Sequence, residues 1–403
     1  MSIDQPLINS NFIKYILFIN ICIVYAFSNI RTMSLLIQFF FLFLMTLYIL
    51  KDGKANITIH FFWMIMFILW ALFTTLFSYN VTASINDIIN ISLKFLSYTA
   101  IIMYIDNEKK FIFTLKAIAI AGLVLCLRVF ILTPADIWGS SRLGEEFGLN
   151  PNTLGMVLSH STIALIYLGM KNKSKLYFIF ILPLISLVFL SGSRKAFLMI
   201  IGGTFLLFFL YTNKVKNKLF VIVVAILSFW GIYQIIMNIP FFYEVLGKRI
   251  NITNIVNHQF TASTNTRISM IKEGWFLFTK RPIIGYGLEN YRLVSSFGTY
   301  SHNNYIELLV STGLVGFIIY YSLPVCILIS SLIKKIKGNS EYNIIIVFVS
   351  IILIIDLAMV SYGHLITHFI IAASVSYYKI LRLKENNNQD SIQKERSCDN
   401  VNY

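Results

Sequence analysis

Apolar runs bounded by charges and turn residues recur along the whole chain, at about 12–30, 33–50, 57–78, 84–105, 111–133, 153–170, 176–190, 195–212, 218–239, 304–333, 342–362 and 364–381. Most are close to the ~20 residues with which a helix crosses a bilayer. The alternating ~10-residue segments of a membrane β-barrel do not occur. The pattern therefore predicts an all-α polytopic membrane protein of about twelve transmembrane helices. The last two runs are parted by little more than Gly363, so ten or eleven spans also fit. Residues 1–239 hold the first nine predicted helices, with an outer loop at 134–152. Residues 240–303 form a large external loop, 304–383 the last three helices, and 384–403 a tail predicted to be a disordered cytoplasmic segment.

Composition agrees. The 403 residues are 57% hydrophobic and 13% charged, whereas soluble domains carry about 25% charged residues. Cys22, Cys126 and Cys326 lie in apolar runs and Cys398 in the tail; their spacing makes neither a disulfide framework nor a zinc site. No metal or other cofactor is expected. No basic region opens the chain, so no cleavable signal peptide is expected.

The net charge of +15 would suggest nucleic acid if it lay in one patch. Instead it alternates with the predicted spans. Lys51 and Lys54, the pair 109–110, and the clusters at 171–175, 214–218 and 334–337 fall on one side with the basic tail. The short connections opposite hold only Arg31, Arg142, Arg194 and Lys195. The positive-inside rule then puts both termini in the cytoplasm, and most of the charge is topogenic. No nucleic-acid partner is expected.

Two outer loops carry more than topology. The segment 134–152 places Arg142 between glycines ahead of Asn150-Pro151-Asn152, which also reads as an ordinary loop with an Asn cap. The loop 240–303 is about sixty residues long, a length usually functional or disordered. Within it Arg267 opens TRISMIKEGWFLFTKRP, where Ile268, Ile271, Trp275 and Phe278 fall at helical spacing, and Pro282 should end that helix. Arg194, in SGSRK, sits at an outer helix end against the positive-inside rule, although arginines also snorkel there.

The stretch 281–321 joins a basic, glycine-punctuated segment to His302-Asn303-Asn304 and then to a long apolar helix without a break. Asn304 and Glu307 resemble a capping box, which starts the helix at 304. His302 then precedes a helix N-terminus, a place that favours phosphate. Its imidazole can act as a base near neutral pH. Lys94, Arg128, Asp87, Asp356, His160, His364 and His368 fall inside apolar runs and are expected in the bundle interior. Such residues also suit a transporter, although no repeat relates the two halves of the chain.

These motifs resemble, in order, those of the O-antigen polymerase and O-antigen ligase family. Arg142 precedes NPN; Ser-Gly-Ser-Arg194 is followed by a small residue after Lys195; Arg267 opens the helix before RP. After RP come hydrophobic-Gly-x-Gly, then HN, a Glu and Gly-Leu-x-Gly. The resemblance covers about 142–320. It implies transfer of glycan from an undecaprenyl-diphosphate carrier to a sugar hydroxyl, without metal and with inversion, at the outer face of a bacterial inner membrane. It assigns His302, Arg194 and Arg267 to catalysis, and Arg142, Asn152, Asn303 and Glu307 to substrate binding. The expected activity is polymerisation of O-antigen or capsular repeat units. Ligation of O-antigen to lipid A–core is the alternative, and a lipid-linked glycan flippase a third reading. Lipid-linked glycan and the bilayer are the expected partners, with a chain-length regulator as a further one.

Overall fold

The computed structural model describes residues 10–27, 30–52, 57–134, 136–138, 143–144, 148–247 and 262–399, and among these no strand occurs. Ten helices precede the large loop: α1 Ser10–Ala26, α2 Arg31–Asp52, α3 Ile59–Thr75, α4 Val81–Tyr104, α5 Glu108–Leu132, α6 Pro151–Asn172, α7 Leu176–Ile179, α8 Ile181–Leu190, α9 Arg194–Tyr211 and α10 Val215–Asn238. Then follow α11 Pro240–Phe242, α12 Ala262–Lys280, α13 Tyr291–Val294, α14 Asn304–Ile336, α15 Asn343–Ile355 and α16 Leu365–Asp399. Helices are what lipid demands, because every backbone group must be satisfied within the segment. By length and composition five of them, α5, α6, α9, α10 and α14, are able to cross a membrane; α1, most of α2, α3, 176–190 and 340–355 are shorter apolar helices.

Helix α6 is the centre of the bundle, packed against α5, α8 and α9. Small residues let the neighbours approach. A Cβ on Gly155 would lie 2.4 Å from that of Ala196, and one on Gly122 2.4 Å from that of Ser161. Between the helices Ser159 donates to the Ala196 carbonyl at 3.1 Å and Ser161 to that of Ile118 at 2.8 Å. Close backbones and interhelical hydroxyl bonds replace the hydrophobic drive that is missing in lipid. Helix α10 buries only Ile236 and forms an outer edge.

Four expectations need correction. The run 176–190 is two helices, because Pro183 lacks an N–H and its ring opposes the carbonyl four residues back, at Ile179. The run 342–362 is helical only to Ile355; residues 356–364 turn back over the start of α14, where Asn304 captures their backbone. Helix α16 continues to Asp399, into the stretch expected to be disordered. That stretch has no Gly or Pro, and Glu385 and Lys384 anchor its start to Lys334 and Glu108.

The fourth correction concerns α14, which is broken at Gly313 (φ 66°, ψ −173°). The carbonyls freed there are taken by neighbours. Tyr286 N–H donates to Val310 O at 2.9 Å and Gly287 N–H to Ser311 O at 2.8 Å. The Trp70 indole donates to Thr312 O at 2.9 Å, and Leu314 N–H donates to Pro282 O at 2.8 Å. The loop 282–287 thus supplies the hydrogen bonds that the helix gives up, and the two glycine motifs are halves of one interlock. Gly313→Ala would put a Cβ 2.1 Å from the Ile283 carbonyl oxygen, at a φ that alone costs ~1–3 kcal/mol. A clear fall in thermal unfolding temperature in detergent is expected, whereas Gly231→Ala, on α10 with nothing within 4 Å, should be tolerated. Equal stability of the two variants would refute the interlock.

Helix α12 ends at Lys280, just before Pro282, and lies on α14. Its packed face is not quite the predicted stripe. Met270, Tyr291, Ile306 and Val310 form a small core with Ile271, Leu277 and Phe278, while Ile268 and Trp275 are exposed. Gly274 decides the register, since a Cβ there would lie 2.2 Å from the Ile306 side chain.

Candidate functional site

Three helix N-termini meet at one end of the bundle. Asn150 caps α6 through Asn152 N–H, Ser193 caps α9 through Ala196 N–H, and Asn303 caps α14 through Ile306 N–H. The first two are tied directly, Ser193 Oγ donating to Asn152 Oδ1 at 3.0 Å. Between them lies a cavity of about 340 Å³, lined by Asn150, Asn152 and Thr153 of α6, Lys195 of α9, and Tyr300 and His302 ahead of α14. Asp87 of α4, Glu289 and the turn Met359–His364 complete the wall. Each helix start presents unsatisfied N–H groups and the positive end of a dipole, so the arrangement suits an anion.

The turn that carries His302 is held on every side. Ser301 N–H donates to Glu307 Oε2 at 2.7 Å, and Ser301 Oγ donates to the Asn303 carbonyl at 2.7 Å. Asn303 Nδ2 donates to Leu357 O at 3.0 Å, while its Oδ1 accepts the capping bond from Ile306. The cap is therefore Asn303 rather than Asn304, and Glu307 reaches back beyond it to Ser301. Asn304 instead ties the start of α14 to the turn 356–364. Its N–H donates to Asp356 O at 2.8 Å, its Nδ2 to Asp356 Oδ2 at 3.1 Å, and its Oδ1 accepts from Ser361 and Tyr362 N–H. Buried Asp356 also accepts from Tyr321 at 2.8 Å. Clamped in this way, His302 adopts a left-handed backbone (φ 57°). An L-residue avoids that conformation unless its surroundings impose it.

The imidazole stays half-buried, with the Tyr300 ring 4.3 Å away, centre to centre. Burial first, then the positive charges of Arg267 and Lys195, push its pKa down to about 4. At neutral pH it is an uncharged base beside cationic groups.

The predicted residues therefore separate by position. His302 and Asn152 line the cavity, and Arg267 is near enough for its charge to act on His302. Arg194, half-buried at the first position of α9, is not among the lining residues, whereas its neighbour Lys195 is, nine per cent exposed. Asn303 and Glu307 are buried and spent on holding the turn. Arg142 lies outside the described residues. Sequence reasoning gave no role to Lys195, Glu289, Tyr300 or Tyr362, and placed Asp87 and His364 in the bundle interior. The SGSRK and GLENY motifs held the signal for two of them.

The fold and cavity define a helical membrane protein with an anion-suited pocket at one end of its bundle. Residues 178–321 match the O-antigen ligase family model. Over that part the chain is similar to the O-antigen ligase family, and the order of the motifs agrees with the match. An uncharacterized protein of Haemophilus influenzae is 25% identical over 250 residues, which cover 53% of this chain and 60% of that protein, less than two thirds of its length. No solved structure matches significantly.

Proposed function

We propose that this protein is a metal-independent membrane glycosyltransferase that polymerises undecaprenyl-diphosphate-linked repeat units into O-antigen or capsular polysaccharide at the outer face of the inner membrane. One observation carries the reading: His302 opens on a cavity lined by the starts of α6 and α9 and by Lys195. The diphosphate of the donor binds toward the starts of α6 and α9, with Lys195, Arg194 and Arg267 spreading its charge. His302 takes the proton of the acceptor hydroxyl as its oxygen bonds to the anomeric carbon of the donor. The bond from that carbon to the diphosphate oxygen breaks, and its electron pair leaves with the diphosphate, so the step is balanced without further reactants. Attack opposite the leaving group inverts the anomeric centre. Asn303, Asn304 and Glu307 position the base.

The matching model, named for O-antigen ligase, favours a second acceptor, lipid A–core, which the same donor machinery would serve. A deletion strain separates the two. Loss of a polymerase leaves single repeats on the final acceptor, and loss of a ligase leaves polymerised glycan on the carrier. Unchanged surface glycan sinks both.

A further inference from the structure

The charges lining the cavity are sorted. Lys195 and His302, with Arg267 near, lie toward the starts of α9 and α14; Asp87 and Glu289 supply carboxylates from α4 and from the loop after the glycine interlock. Asp87 and Glu289 line the wall themselves while the cations near them, Lys94 and Arg292, do not, so a diphosphate is favoured at the side of Lys195. The room left on the carboxylate side, in a cavity of small-ligand size, suits the other reactant. Asp87 Oδ2 accepts the Tyr362 hydroxyl at 2.9 Å, which fixes that carboxylate in the wall.

Glu289 is held in place with unusual firmness. It too has a left-handed backbone (φ 60°), which glycine, asparagine or aspartate adopt far more readily than glutamate. Buried Asn290 imposes it: Nδ2 donates to Ser84 Oγ at 2.7 Å and to Leu288 O at 3.0 Å, and Oδ1 accepts from Asn80 N–H at 2.9 Å. Next to it the buried Tyr291 hydroxyl donates to Met270 O at 2.7 Å. Arg292 Nη1 forms an ion pair with Glu289 Oε1 at 3.2 Å. Burial and nearby Asp87 raise the pKa of Glu289, against Arg292 and Lys94.

We propose that Glu289, with Asp87, is the acceptor-selecting wall of the site: its carboxylate accepts hydrogen bonds from vicinal hydroxyls of the terminal acceptor sugar and excludes a terminal uronic acid. This rests on the glycosyl-transfer reading above. Neither carboxylate takes part in bond breaking, so Glu289 is a specificity residue and His302 remains the base.

The test uses the full-length protein in liposomes. The donor is the lipid-linked repeat extracted from the parent strain, and the acceptor is the carrier-free repeat released from it by mild acid. Hydrogen bonds to a charged group are strong enough that Glu289→Gln should raise the acceptor KM about tenfold or more. The donor KM and the pH profile should not move, and Glu289→Asp should restore part of the loss. Glu289→Gly, which accepts the left-handed backbone, should show the same KM defect with no loss of thermal stability. A neutral or amino sugar is expected at the non-reducing end of the native repeat. A fall in kcat with unchanged acceptor KM, or a terminal uronic acid in the repeat, overturns the proposal. No transfer by the wild-type protein would instead overturn the glycosyl-transfer reading beneath it.

Discussion

His302→Gln is expected to lower glycan transfer by about 10²- to 10⁴-fold, the usual contribution of a positioned general base, while membrane insertion and the pool of lipid-linked donor stay unchanged. Glutamine keeps a hydrogen-bonding side chain at that position but cannot take a proton, so it should be nearly as inactive as alanine. The pH profile makes the same claim independently. With the imidazole held down to about 4 by burial, Arg267 and Lys195, the free enzyme keeps its base unprotonated through mild acid. kcat/KM should then be nearly flat from pH 7 to 5.5, where an ordinary histidine near 6.5 would lose roughly eightfold. The limb in kcat should lie at higher pH, because a bound diphosphate favours the imidazolium. If His302→Gln transferred at the wild-type rate, the next candidate would be His364, which lines the same cavity. Glu307 would not be, since it is turned to Ser301.

What could be foreseen followed from local rules. Apolar period and length marked the helical runs because those signals lie within one segment, and Pro282 after Lys280 ended α12 as expected. The resemblance picked out the polar segments that reach the cavity because the family motifs happen to be the helix starts themselves. The misses are tertiary. Gly313 in an apolar run looks like a tolerated helix residue; only Pro282, Tyr286 and Gly287, distant in sequence, make a break there stable. Residues 356–364 are apolar enough to continue a span, and what stops them is the side chain of Asn304.

Charge shows the same limit. Asp87 and His364 sit in runs that read as bundle interior, and only the fold turns both toward His302. Lys195 was legible as a residue out of place under the positive-inside rule, but its neighbour Arg194 drew the role. In a helix, adjacent residues point about 100° apart, so a motif that names one of two cations leaves open which of them faces the ligand.

That choice gives the second large effect. Lys195→Gln should lower kcat about 10²- to 10³-fold, the scale of losing one charge-stabilising donor in a closed site. Lys195 is nine per cent exposed, and its positive charge acts on His302 together with that of Arg267. Lys195→Gln removes that charge from the cavity wall. The same loss should make His302 more basic, because the charge that depresses it is gone. The acid limb of kcat/KM should therefore move to higher pH in Lys195→Gln. It should move further in Arg267→Gln, the stronger of the two charges on the imidazole. Arg281→Gln serves as the comparison. Its guanidinium is exposed, donates to Phe77 O at 2.8 Å and stacks on Tyr286, away from the cavity lining. It should move neither rate nor limb beyond a few-fold. A Lys195→Gln protein with wild-type kcat and an unmoved acid limb would take the diphosphate away from the start of α9, and with it the arrangement proposed for the donor.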